Sequence, residues 1–345
     1  MTTVIDGTAG ITFPDLTSQA TSGYTGMRNR LINGDMRIDQ RNSGSQLTPT
    51  TGQYTLDRWV ATGTQSGYFT VQQNAASAAL PNGYSNYIGM TSTGSYSLSS
   101  TDRFSISQRI EGTSIADLGW GTSSAKPLGL SFWAYSSAAG TYGGGLVTDG
   151  GRTYVFSYAI TAAYLWQYFS LTIPADAFAV GTTTATALTL GFGLGAGVTY
   201  TGPTSAWSPS TFTQPTNSSG IFAQAGNTLY LTGVQLETTS SITPFERRFS
   251  GIELHLCQRY YTSGTGIKTA SIFSPGAQTV RMGSVTYPST MRAAPAVTLS
   301  SITYSNSSSL TVDVNQPGFF TTTATATAQG LVEITFSYAA DSELT

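Results

Sequence analysis

The chain has 345 residues, of which 39% are hydrophobic and only 9% charged, and its net charge is −2. That composition can fill a real core, but it offers no overall attraction for nucleic acid or an anionic membrane. It also excludes ordinary disorder, because disordered chains are charge-rich and poor in the aromatics that make up 12% here. The length predicts two or three modules, and Thr, Ser, Gly, Tyr and Phe in place of charge predict all-β structure. Cys257 is the single cysteine, so no disulfide framework can form within the chain. Residues 1–10 lack the basic start and apolar core of a secretory leader. The charge-free stretch 177–236 is too rich in Thr, Ser, Gly and Pro to read as a membrane span.

Residues 1–25 read as an extended arm. VIDGTAGITFPD holds two brief β-like runs, too short to fold alone. Ile5, Ile11 and Phe13 give the arm something to bury, which makes them candidates for docking on another protein or on copies of the chain. RNRLINGDMRIDQR, residues 28–41, alternates charge sign, which suggests salt-bridged packing or a solvated surface rather than a polyanion site.

From 54 to 237 strand-like runs follow at short intervals: YTLDRWV, YFTVQQ, NYIGMTS, RFSISQRIE, LGLSFWAY, TYVFSYAI, LWQYFSLTI, LTLGFGLG and LYLTGVQLE. Each has β-branched or aromatic residues in partial alternation, and no amphipathic helices intervene, so 26–248 is expected to be a jelly-roll-like β-sandwich. FSGIELHLCQRYY, residues 249–261, predicts a short helix with Ile252, Leu256 and Tyr260 along one stripe, Ser250 as cap and Glu253 completing a capping box. Residues 262–266 are expected to be a hinge after it, closing a 249–266 linker. VRMGSVTY, AVTLSSITY, SLTVDV, GFFTTTATA and LVEITFSY make 267–345 a second, smaller β module.

These segments carry a resemblance. MTTVIDGTAGITFPDLTSQATS is similar to the N-terminal segment of many phage tail-fibre-like proteins. RNRLINGDMRIDQRN, LDRWV and LYLTGVQLETTSSITPFERRFSGIELHLCQRYY resemble a recurring tail-protein module described as carbohydrate-binding-like. TMRAAPAVTLS and FSYAADSELT resemble the C-terminal portion found with it. The resemblance implies a homotrimeric virion component with a jelly-roll-like central module, made in the host cytoplasm and carried on the phage tail or capsid surface. It implies no catalytic residue.

The chemistry is narrow. Lys126 and Lys268 lack the context of a phosphate-binding loop. GFGLGAG at 191–197 sits in a strand-like run with no helix after it, so it reads as a kinked strand rather than a dinucleotide fingerprint. His255 is the sole histidine and lies about 200° from Cys257 around a helix, so the two do not form a dyad. Cys257 reads as a small buried residue and His255 as a polar-face or interface residue. No zinc or calcium ligand set is present in the sequence, and no cofactor is expected. Glycoside hydrolysis stays open because it needs only two carboxylates. Many acids, however, sit beside a basic neighbour, as in Asp57–Arg58, Asp102–Arg103 and Glu246–Arg247, which reads as structural ion pairing.

Aromatic rings in polar loops suit sugar recognition. Trp207, with Tyr200 and Phe212 nearby in a Pro/Ser/Thr loop, are the glycan-contact candidates, while Trp59, Trp133 and Trp166 lie in strand runs and are expected in the core. The reading is a non-enzymatic tail-fibre subunit that binds a host cell-surface polysaccharide without cutting it, beside other tail or capsid proteins. A near-neutral chain suits a largely uncharged ligand. A capsid-bound fibre or decoration protein, and a tailspike depolymerase, are the alternatives.

Overall fold

The computed structural model describes residues 27–76, 78–239 and 241–345, together with the backbone of three short strands before them. Those strands, β1 (Val4–Asp6), β2 (Gly10–Thr12) and β3 (Ser18–Gln19), form an antiparallel sheet in which Ile5 pairs with Ile11. Phe13 lies outside the described residues.

Thirteen strands build the central sandwich. They are β4 (Val60–Gly63), β5 (Phe69–Gln73), β6 (Ile88–Ser92), β7 (Arg103–Glu111), β8 (Leu128–Ser136), β9 (Gly140–Thr148), β10 (Thr153–Ile160), β11 (Gln167–Ile173), β12 (Thr186–Ala196), β13 (Thr201–Gly202), β14 (Trp207–Ser208), β15 (Gln214–Pro215) and β16 (Thr228–Thr238). One sheet has six strands in the order β14-β10-β9-β12-β7-β4, the other five in the order β11-β8-β16-β6-β5, and β13 pairs with β15 alongside. Alternation turns one face of each sheet inward. Phe104, Ile106, Leu188, Leu190 and Phe192 meet Leu130, Phe132, Leu229 and Leu231 in one core, all fully buried. Each such side chain contributes about 1.5–3 kcal/mol by leaving water. The all-β sandwich is therefore as expected. The GFGLGAG run is part of β12, whose register shifts between Gly193 and Gly195.

Two of the expected core tryptophans lie elsewhere. Trp59 is fully buried, but Trp133 and Trp166 are half-buried on the outer face of the five-stranded sheet. The cause is register: Phe132 and Ala134, not Trp133, take the inward positions of β8. A strand the sequence hid is β9, GTYGGGLVT, which runs through the middle of the six-stranded sheet.

The helix α1 spans Ser250–Gln258. The expected capping box does not form. Phe249 occupies the cap position with no side-chain bond, and Ser250 Oγ accepts from Arg37 instead. The buried stripe is Glu253, Cys257 and Tyr260, whereas Ile252 is exposed. Glu253 turns inward because its carboxylate accepts from the Asn33 amide and pairs with Arg248. Cys257 is buried and His255 exposed, and burial pushes the Cys257 thiol well above its usual range. Residues 262–266, expected as a hinge, open a strand instead.

That strand, β17 (Tyr261–Ser274), joins β18 (Thr279–Thr286), β19 (Ala296–Ser305), β20 (Ser307–Gln316), β21 (Phe319–Ala326) and β22 (Gly330–Asp341). They make two three-stranded sheets, β17-β22-β19 and β18-β21-β20, around Met282, Phe320, Val332, Ile334 and Phe336. A charged seam ties this module to the sandwich. Arg41 pairs with Asp341 at 2.9 Å and Glu343 at 3.2 Å, and Arg58 pairs with Glu343 with both side chains buried. The 28–41 island is thus a packed ion-pair network. The acids flanked by a basic neighbour in sequence pair elsewhere. Asp57 accepts from Gln40, Asp102 from Ser99, Tyr96 and Thr64, and Glu246 pairs with Arg248.

Candidate functional site

Strand alternation on β7 aims Phe104 and Ile106 into the core and Arg103, Ser105, Ser107 and Arg109 outward. Beside them, Thr62 of β4 sits opposite Ser105, while Gly191 and Gly145 of β12 and β9 continue the row of Ser107. Hydroxyls and bare backbone therefore form the floor of a groove of about 220 Å³ on the outer face of the six-stranded sheet. Residues 211–213 form its wall, with Phe212 lying over Gly202.

Glycine makes the floor possible in two different ways. A Cβ on Gly145 would sit 2.9 Å from the Phe212 carbonyl oxygen and 2.9 Å from Thr153 Cγ2, so that position is closed by its neighbours. A Cβ on Gly191 would meet only Ser107 Cβ at 3.6 Å and the Gly145 oxygen at 3.8 Å, which is ordinary contact. Gly191 is therefore glycine without steric need from the fold, and any side chain there would rise into the groove.

The groove's two guanidiniums are held by neutral groups. Arg103 stacks on the Tyr200 ring, 4.8 Å from its centroid. Arg109 donates to the Leu344 carbonyl and to Tyr54 Oη. Among the described residues neither forms an ion pair with a carboxylate, and no Asp or Glu is among the described residues lining the groove. This arrangement can donate hydrogen bonds from hydroxyls and guanidiniums to a polyhydroxylated chain and offer one aromatic wall.

The structure separates the three aromatic candidates. Phe212 lines the groove and Tyr200 supports Arg103 at its end. Trp207 is not presented as a free ring. Its Nε1 donates to the Pro174 carbonyl at 2.9 Å, and its ring packs against Trp120 at 5.3 Å and Tyr154 at 5.7 Å, at the margin of the core. Sequence reasoning missed Arg103, Ser105, Ser107, Arg109 and Gly191. The signal was present in RFSISQRIE, which read at period two places Arg, Ser, Ser and Arg on one face.

The outer face of the five-stranded sheet carries more aromatic surface and an open pocket of its own, about 370 Å³, lined by Tyr84, Trp133, Tyr168, Phe245 and Arg247. Tyr135 stacks on Tyr230 at 5.0 Å and 4°, Tyr87 lies 4.8 Å from Tyr230, and Trp133 lies 5.4 Å from Tyr168. Tyr84 and Phe245 close over the edge, with Arg247 above the Tyr84 ring. Tyr87 and Tyr230 are buried in consequence.

Among the described residues no cluster of three or more His, Cys, Asp or Glu is placed to hold a metal ion. No helix among them is long and apolar enough to cross a membrane.

No protein-family model matches the chain, and no curated protein matches it. Among solved structures it is similar to the enzymatically active domain of bacteriophage CBA120 tailspike protein 4, at 13% identity and a TM-score of 0.34, over 61% of this chain and 21% of that one. It is also similar to a putative sugar-binding protein from Bacteroides thetaiotaomicron, at 12% identity and a TM-score of 0.37, over 61% of this chain and 100% of that one. A family 11 carbohydrate-binding module from Clostridium thermocellum, solved with a mixed-linked tetrasaccharide, is similar at 11% identity and a TM-score of 0.27, over 59% of this chain and 98% of that one.

Proposed function

We propose that the protein is a non-enzymatic attachment subunit of a bacteriophage fibre, and that its sandwich binds a host cell-surface glycan in the groove along β7. The observation that carries this reading is the groove itself: a floor of Thr62, Ser105, Ser107 and Thr189 hydroxyls, walled by Phe212 and closed at its ends by Arg103 and Arg109. Hydroxyl-rich ligands are recognised by such convergent donors and acceptors beside an aromatic wall. Glycosidases cut with two carboxylates flanking the bond, and the lining residues supply none. The phage assignment rests on the resemblance of the N-terminal segment and of the 229–261 block.

In this reading the arm of residues 1–25, through Ile5, Ile11 and Phe13, anchors the subunit to a partner in the particle, and three copies assemble into the fibre. Single sites are weak, because a few hydrogen bonds and one ring must offset ordering costs. Several copies engaging one cell raise avidity by about 10²–10⁴. The test is retention of purified full-length protein on host cells and on isolated host polysaccharide, compared with the Gly191→Val variant. Binding by the parent and loss in the variant support the groove. Equal binding by both places the glycan site elsewhere, and shortening of the polysaccharide on long incubation ends the non-enzymatic reading.

A further inference from the structure

We infer that the ligand of this groove is an anionic glycan, lying extended along β7 and carrying carboxylate or phosphate groups that meet Arg103 and Arg109. The inference rests on the glycan-binding reading and narrows its ligand class. Charge in this chain is scarce and mostly cancelled. Arg30, Arg37, Arg41, Arg58, Arg152, Arg248, Arg259 and Arg281 each pair with a carboxylate. Among the described residues Arg103 and Arg109, like Arg28, Arg247, Arg292 and Lys126, do not, but these two line one groove and both are fixed in place. A tyrosine ring supports one, while a carbonyl and a phenol oxygen hold the other. These partners orient a guanidinium without neutralising it, which leaves its forked donors for a carboxylate or phosphate.

The spacing adds a second constraint. Arg103 and Arg109 lie six residues apart on one face of a strand, so their Cα atoms are roughly 20 Å apart. A ligand lying along the strand must span that distance to pass both Cα positions. A polymer with repeating acidic sugars does so, with its neutral hydroxyls lying over Ser105, Ser107 and Thr189 between the two arginines. An acidic ligand also departs from the uncharged one that the near-neutral composition suggested, because a local pair of unpaired cations outweighs a net charge spread over the whole chain.

The test uses full-length protein on immobilised oligosaccharides in matched pairs: oligogalacturonate against its methyl ester, and phosphomannan against mannan. The acidic member of at least one pair is expected to bind about tenfold tighter than its neutral twin at low salt and to weaken as salt rises. Which pair responds tells carboxylate from phosphate. Arg103→Gln and Arg109→Gln should each erase most of that preference, the charge-keeping Arg109→Lys should retain part of it, and Arg281→Gln, in the C-terminal module, should leave it intact. If neutral twins bind as well as acidic ones, or Arg103→Gln changes nothing while Gly191→Val abolishes binding, the groove reading stands and the anionic class is overturned. If no member of either pair binds while host polysaccharide is retained by the parent and not by Gly191→Val, the groove reading stands and the anionic class is overturned; if host polysaccharide is not retained either, both fall.

Discussion

On the five-stranded face, aromatic side chains stack on one another and wall an open pocket; on the six-stranded face, glycine and serine floor a groove. Tyr135, Tyr230, Tyr87 and Trp166 pack on one another, while Tyr84 and Phe245 stand beside Trp133 and Tyr168 around the pocket. Across the sandwich the same pleat presents Ser105, Ser107, Gly191 and Gly145, and a groove results. Both faces leave room, one beside rings and the other over hydroxyls and bare backbone, and they differ in the chemistry that they offer a ligand. The general affinity of rings for sugars points first to the five-stranded face.

The comparison can be broken most forcefully inside the six-stranded sheet itself. Gly144→Ala drives a Cβ against the Gly191 carbonyl and should cost about 4 kcal/mol or more, leaving little folded protein in a thermal melt. On the aromatic face, Tyr230→Ala removes the ring shared by Tyr87 and Tyr135. It should cost about 3 kcal/mol by denaturant titration and leave glycan affinity unchanged. A loss of affinity there would move the site to that face.

A similar magnitude is expected from a group on neither face. Burial pushes Asp57 up to about 6, against the lowering effect of its Gln40 hydrogen bonds and of Arg41. Its neutral form is favoured in the fold, so its contribution is full below the unfolded value of 3.8 and is lost as pH rises through about 6. That is on the order of 3 kcal/mol. Urea midpoints between pH 4 and 7 should show this component falling with pH, and Asp57→Asn should flatten it. Glycan affinity, measured on a neutral oligosaccharide, should not follow.

Trp207→Ala sharpens the distinction between rim and core. Losing its packing on Trp120 and Tyr154 and its bond to Pro174 should cost about 2 kcal/mol in a melt, with adsorption to cells little changed. The smallest effect on stability belongs to Gly191→Val. A β-branched residue suits a strand and meets no clash, so the melt should shift by less than about 1 kcal/mol. Affinity for glycan should fall at least about tenfold, or 1.4 kcal/mol, because the side chain occupies the floor.

Much of the fold was legible because its strands advertise themselves. RFSISQRIE and TYVFSYAI are β7 and β10 residue for residue. What hid β9 was its own fitness for the place it occupies. GTYGGGLVT reads as a turn cluster, but its glycines are there because the Gly191 carbonyl crowds Gly144 while Phe156 O and the Pro215 ring crowd Gly143. The site was half legible for a related reason. Phe212 and Tyr200 stood out as rings in a polar loop, whereas Ser105, Ser107 and Gly191 carry no distinctive chemistry until three strands bring them side by side. Charge misled at short range. Asp102 and Arg103 are neighbours in sequence, but successive side chains on extended backbone point apart. Asp102 collects hydrogen bonds from Ser99, Tyr96 and Thr64 while Arg103 faces the groove.

The position of β16 has a consequence for how the molecule is made. It lies between β8 and β6, with its inner residues Leu229, Leu231 and Leu236 fully buried. A growing chain that has emerged only to β12 holds two half-sheets, β11-β8 and β6-β5, each ending in an unsatisfied row of backbone donors and acceptors. Such edges recruit one another between chains, and pairing across so long a separation in sequence is slow. Synthesis past residue 238 is thus the step that turns an aggregation-prone intermediate into a closed sandwich. Conditions that stall translation before that point should send the product into inclusion bodies, while slower growth at low temperature should recover it.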